Sequence, residues 1–115
     1  MTQVYKIATG EDWEAACRRG TYAGSADDLR DGFIHFSTAG QLPGTLEKHF
    51  AGRDDLVLIA FDAADLGGAL KWEPSRGGEL FPHLYAALDT TLAHAVMKLA
   101  VDDSGRHVLP EEIGE

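Results

Sequence analysis

Two segments mix polar, aromatic and glycine residues in a way that plain packing does not require. The first is Asp31-Gly32-Phe33-Ile34-His35-Phe36-Ser37-Thr38. On an extended chain Phe33, His35 and Ser37 share one face and Ile34 and Phe36 the other. This sends Ile34 and Phe36 to a core and leaves His35 beside a strand end, next to a helix N-terminus that can receive an anionic group. The second runs from Leu70 to Tyr85 and holds Trp72, Glu73, Arg76, Gly77-Gly78, Glu79, His83 and Tyr85. Trp72 and Tyr85 offer stacking, Arg76 a bidentate fork for phosphate or carboxylate, and the glycine pair close backbone approach. Glu73 and Glu79 are the nearby carboxylates suited to acid–base work or to binding ribose hydroxyls. Both segments also admit a plain reading. His35 can be a structural histidine with Ser37 and Thr38 as helix caps, and the second segment a packed Ω-like loop with Trp72 in the core.

Other chemistry finds little support. The five histidines show no metal-ligand spacing and there is one cysteine, so no metal site is expected. Dinucleotide-binding, P-loop and nucleophile-elbow motifs are absent. Ten basic against nineteen acidic residues leave a net charge of −9 over 115 residues. That balance disfavours DNA, RNA and anionic membrane surfaces as partners. The start of the chain lacks a signal-peptide pattern and no apolar run is long enough to span a bilayer, so a cytoplasmic location is the expectation. Cys17 is expected to be a buried helix residue. The acidic pairs Asp54-Asp55 and Glu111-Glu112 read as solvated turn and tail.

Several elements must position these residues. Gln3 to Ile7 reads as a strand, followed by a helix capped by Thr9, with Trp13, Ala16 and Cys17 on one face and Gly20 as its stop. Ser25 to Asp28 suits a short capped turn, and Gly32 to Ser37 a second strand. Thr38 and Gln41 suit the start of a helix that tolerates Pro43 in its first turn, repeats Leu42, Leu46 and Phe50, and stops at Gly52. Leu56 to Phe61 is an apolar run suited to a strand buried on both faces. Asp62 to Gly68 turns the chain, Ala69 to Glu73 is a strand, Pro74 to Pro82 a loop and Leu84 to Leu88 a strand. From Asp89 either a helix to Leu99 or a short helical turn, a strand and a hairpin at Asp103-Ser104-Gly105 fits; the second is favoured. The whole reads as one α+β domain of mostly antiparallel strands with two or three helices.

Together these stretches closely resemble the bacterial domain-of-unknown-function family 952. The resemblance covers nearly the whole chain: Val4-Tyr5-Lys6-Ile7, Trp13, Gly20 with Tyr22, Asp31 to His35, Ser37-Thr38, Gln41, Lys48 to Phe50, Asp55 to Leu58, Lys71-Trp72-Glu73, Pro82 to Tyr85 and Leu109-Pro110. The family looks related in fold to the ADP-ribosyltransferases and RNA 2′-phosphotransferases, whose split pair of small sheets holds NAD or an ADP-ribosylated intermediate. Phe33 to Ser37 is similar to the phosphotransferases' His-Leu-Ser strand. Tyr5-Lys6-Ile7 stands where they carry Tyr-His-Gly-Thr, with Lys6 at or near the histidine position. The resemblance implies a small anionic or nucleotide-like ligand, NAD among the possible cofactors. His35 and Glu79 would be catalytic, and Ser37, Thr38, Trp72, Glu73, Arg76, His83 and Tyr85 would bind the ligand. A binding or regulatory module without turnover, and a structural or partner-binding domain, remain the alternatives.

Overall fold

Lys6 interrupts an otherwise apolar strand, and the fold is arranged around the consequence. The computed structural model describes residues 2–110 and Ile113, with the Arg76 side chain outside that description. The chain runs β1 (Gln3–Thr9), α1 (Gly10–Arg19), β2 (Thr21–Tyr22), α2 (Ala26–Asp31), β3 (Ile34–His35), α3 (Leu42–His49), β4 (Leu56–Asp62) and α4 (Ala63–Leu66). It continues through β5 (Leu70–Pro74), β6 (Leu80–Leu84), β7 (Leu88–Asp89), β8 (Ala95–Lys98), β9 (Ala100–Val101) and β10 (His107–Val108). This is an α+β arrangement, and every strand pairing among the described residues is antiparallel.

The first three-stranded sheet has the order β1-β4-β8, and β1 pairs with β4 along its full length. Alternate residues feed two cores, as the two-residue strand period requires. Val4, Ala8, Ile59 and Phe61 join Trp13 and Ala16 of α1 on one side. Tyr5, Ile7, Leu56, Leu58 and Ala60 join Leu42 and Leu46 of α3 on the other. The apolar run of β4 is therefore central and buried on both faces, as its composition predicts. Lys6 falls in the row of Val4 and Ala8 and is only 4% exposed, so its ammonium needs a partner within the protein.

The second sheet has the order β3-β6-β5. The two sheets meet at Tyr5 and Ser37, whose backbones exchange hydrogen bonds of 2.8 and 2.9 Å. Gln41, at the end of the 3₁₀ turn that leads into α3, strengthens the junction. Its Oε1 accepts the Thr38 N–H at 3.0 Å, and its Nε2 donates to the Leu80 carbonyl at 2.8 Å.

Caps fall where the side chains predict. Thr9 Oγ1 accepts the Asp12 N–H, Gly20 closes α1 in the left-handed region, and Ser25 forms a reciprocal capping box with Asp28. Pro43 lies in the first turn of α3.

Six expectations change. The segment from Pro74 to Pro82 is not one loop: Pro74 ends β5, Leu80 begins β6, and Pro82 lies inside the middle strand of a sheet. Pro82 accepts the Phe36 N–H through its carbonyl but has no N–H to return, so the ladder stops. For the same reason β3 is two residues long rather than extending from Gly32 to Ser37. The strand expected over Leu84 to Leu88 ends at Leu84, with Leu88 starting the separate β7. Four α-helices are present among the described residues, because Asp62 caps a turn of helix at Ala63–Leu66 where only a reversal was expected. Finally α3 ends at His49, and Gly52 follows it in a turn. Cys17 is exposed, since α1 rests on the sheet through the narrower strip of Trp13 and Ala16. Past Asp89, a 3₁₀ turn at Thr90–Leu92 and then strand β8 match the favoured alternative. Glu111 and Glu112 lie outside the described residues.

Candidate functional site

Asp28 is where Lys6 finds its counter-charge. The carboxylate is 2% exposed, and its Oδ2 lies 2.7 Å from Lys6 Nζ. The same Oδ2 accepts the Ser25 N–H at 2.9 Å, and Lys6 donates a further bond to the His35 carbonyl at 3.1 Å. The other oxygen, Oδ1, accepts the His35 N–H at 3.1 Å and lies 2.6 Å from His35 Nδ1. Burial pushes the Asp28 carboxyl up, but the bonds from His35, Lys6 and Ser25 outweigh it and hold it well below the usual carboxylate range. Burial pushes the Lys6 ammonium down against the opposing pull of Asp28. A capping box, a buried lysine and a histidine thus converge on one carboxylate.

His35 is flanked on both sides. Its Nε2 lies 3.0 Å from Asp31 Oδ2, so a carboxylate stands at each ring nitrogen. An imidazolium, with an N–H on both nitrogens, matches that pair of acceptors; a neutral ring satisfies one of them.

A second histidine stands beside the first. Cross-strand pairing of β3 with β6 sets His35 opposite His83, with ring centroids 5.6 Å apart. His83 is 5% exposed, and its Nδ1 lies 2.8 Å from Glu73 Oε1 on β5. The Tyr85 hydroxyl donates to the same Oε1 at 2.7 Å. Bonds from His83 and then Tyr85 hold the Glu73 carboxyl below its usual range, and Glu73 in turn pushes the Tyr85 phenol up. Phe33 stacks on the His83 ring at a centroid distance of 4.0 Å and an interplanar angle of 24°.

Both histidines open on a cleft of about 250 Å³ at the junction of the two sheets. Tyr5, Phe36, Phe50 and Phe81 supply apolar walls, and Ser37, Thr45 and Ser75 supply hydroxyls. Arg30, Asp27, Asp31 and His49 stand at its charged edge. Ser37 Oγ and Thr45 Oγ1 are 3.3 Å apart.

The expected residues divide into three groups. His35, Ser37 and His83 line the cleft, and Glu73 and Tyr85 reach it through the His83 ring. Thr38, Trp72 and Glu79 are not among its lining residues. Thr38 is tied to Gln41, Trp72 is 41% exposed on β5 rather than in a core, and Glu79 is exposed in the turn between β5 and β6. The Arg76 side chain lies outside the described residues. The carboxylates that meet the histidines are Asp28, Asp31 and Glu73, not Glu79. Lys6 and Asp28 are the residues that sequence reasoning missed. A lysine at the centre of an apolar strand was the available signal, because a buried ammonium demands a buried acceptor.

A model of the family described as "protein of unknown function (DUF952)" matches residues 7–98. The crystal structure of protein CC0527 from Caulobacter crescentus is similar over 99% of this chain and 100% of that one, with 43% identity and a TM-score of 0.94. The solution NMR structure of CC0527 gives 44% identity, coverage of 99% and 98%, and a TM-score of 0.88. No curated protein matches the sequence. A family match over most of the chain, joined to a relative of the same length and fold, leads to one conclusion: this chain belongs to the DUF952 family.

Proposed function

We infer that the cleft between the two sheets binds a small nucleotide-like molecule. The observation that carries this reading is the convergence of His35 and His83, from strands far apart in sequence, on one cavity, each with a ring nitrogen held by a carboxylate. Packing alone gives no reason to place two oriented imidazoles side by side at an opening. The aromatic walls of Tyr5, Phe50 and Phe81 suit the flat ring of a base or nicotinamide. Asp31 and the hydroxyls of Ser37 and Thr45 suit the hydroxyls of a ribose. Lys6 is engaged by Asp28, so an anionic group of the ligand belongs at the edge, beside His49 and beside Arg30, whose guanidinium it would share with Asp27 and Asp31.

The pair of small antiparallel sheets meeting at Tyr5 and Ser37 supports kinship with the ADP-ribosyl fold, and with it NAD or ADP-ribose as the ligand class. On that reading the protein is a transferase or a degenerate one, with His35 and Ser37 placing the ligand. Glu79, exposed in its turn and outside the lining of the cleft, takes no part in this reading. A second reading, a binding module without turnover, is favoured by His35 itself, whose two ring nitrogens are both engaged by carboxylates. Acidic residues at the cleft edge also speak for a small ligand over a nucleic acid.

Titration of the folded protein with adenosine, ADP-ribose and NAD, followed by calorimetry and amide shifts, tests the reading. Saturable binding with shifts at Tyr5, His35, Phe81 and His83 is expected. Absence of saturable binding by all three at millimolar concentration overturns it. Turnover of NAD separates the transferase from the binding module.

A further inference from the structure

The two histidines are not equivalent. His35 has a carboxylate at each ring nitrogen and no free lone pair to offer. His83 has one. Its Nδ1 meets Glu73, and among the described residues Nε2 has no hydrogen-bond partner. Glu73 Oε1 already accepts the Tyr85 hydroxyl and is held in its ionised form, so it acts toward His83 as an acceptor only. The Nδ1 proton therefore stays on His83, and the neutral ring carries its lone pair on Nε2. Phe33 on the ring face and burial of the side chain fix the imidazole plane. Across the strands, Lys71 pairs in register with His83, and His35 is the other ionisable ring beside it.

We propose that His83 is the proton acceptor of the cleft, taking a proton through Nε2 from a hydroxyl of the bound molecule, with Glu73 as the positioning residue. The assignment rests on the nucleotide-like ligand inferred above and moves the acid–base role from His35 to His83. The O–H proton passes to Nε2, the electron pair stays on the ligand oxygen, and the resulting imidazolium keeps its Nδ1–H on Glu73. The arrangement is that of a base oriented by a carboxylate, with Tyr85 fixing the carboxylate in turn. Trapping a proton this way suits a ribose hydroxyl or a water held by one.

Long-range proton–nitrogen NMR of the full chain at mildly alkaline pH reads the tautomer directly. His83 is expected as a single tautomer, protonated at Nδ1 and bare at Nε2. Glu73→Gln should abolish that preference, because an amide both donates and accepts and so tolerates either tautomer. A merely structural Glu73 would leave the preference unchanged. Adenosine or ADP-ribose should move the Nε2 resonance, and should slow carbethoxylation of His83 by diethylpyrocarbonate in proportion to occupancy. A wild-type His83 protonated at Nε2 overturns the proposal, and so does ligand binding that leaves Nε2 and its reactivity unmoved. Failure of all the nucleosides to bind, with the expected tautomer present, instead removes the ligand reading and the proton-acceptor role together. Glu73 lies on the rim of the sheet, so Glu73→Gln keeps the test open even if His83→Ala fails to fold.

Discussion

His35 is joined to Asp28 twice, through its backbone N–H at 3.1 Å and through Nδ1 at 2.6 Å, both to the same carboxylate oxygen. The backbone bond ties the end of β3 to α2, and the ring bond fixes where the imidazole points. One side chain from α2 thus sets both the strand and the site.

Asp28→Asn should destabilise the protein by roughly 3–5 kcal/mol, the range for removing one member of a buried ion pair. The cost arises because Lys6 stays buried with its charge uncompensated. Lys6→Met should cost less, since the Ser25 and His35 bonds to Asp28 survive. Urea unfolding of both variants checks the order, and an Asp28→Asn variant more stable than Lys6→Met would contradict it.

Acid should act through the same carboxylate. Asp28 titrates below its ordinary value of 3.8, so its contribution to stability is fully present above that pH. The contribution is lost progressively as pH falls toward the folded-state value, because the unfolded chain takes up the proton first. Unfolding free energy measured from pH 6 to pH 2 should fall more steeply for wild type than for Asp28→Asn.

Gly24→Ala should loosen the cleft without touching it chemically. Gly24 has φ of +119°, and a Cβ there would lie 2.7 Å from the Asp28 Cβ. A left-handed alanine with that clash should cost on the order of 1–3 kcal/mol and displace the capping box. Altered side-chain shifts of His35, alongside a lower melting temperature, are the expected signature.

Tyr22→Phe should be neutral or stabilising by up to about 1 kcal/mol. The Tyr22 hydroxyl is buried with no hydrogen-bond partner among the described residues, and burial with the nearby Asp28 and Asp12 charges pushes the phenol up. The ring packs against Trp13 at 6.1 Å and stays in place in the variant. A loss of more than about 1 kcal/mol on chemical denaturation would reveal a buried partner for the hydroxyl.

Much of the local structure was legible because its causes are local. The Thr9 and Ser25 caps, the Gly20 stop and the early position of Pro43 follow from backbone and side-chain geometry within a few residues. The burial of Leu56 to Phe61 follows from an unbroken apolar run. Pro82 misled because proline usually breaks a strand. It is accommodated here only because its missing N–H faces the point where β3 ends. Cys17 misled because periodicity shows an apolar face but not its width.

What the sequence determined by itself was the inventory: the capped helices, the buried central strand, the family motifs, and a net charge of −9. The resemblance to DUF952 was likewise carried by residues that can be read in line. Which carboxylates meet which histidines was decided only by the tertiary structure. Lys6 and Asp28 are 22 residues apart, and Glu73 and His83 ten, and each pair is brought together by sheet register and helix placement. Glu79 looked as suitable as Glu73 in the sequence. Six residues of separation, one strand and one turn put the first in solvent and the second against His83, because proximity to a cleft depends on how the chain crosses space rather than on side-chain chemistry.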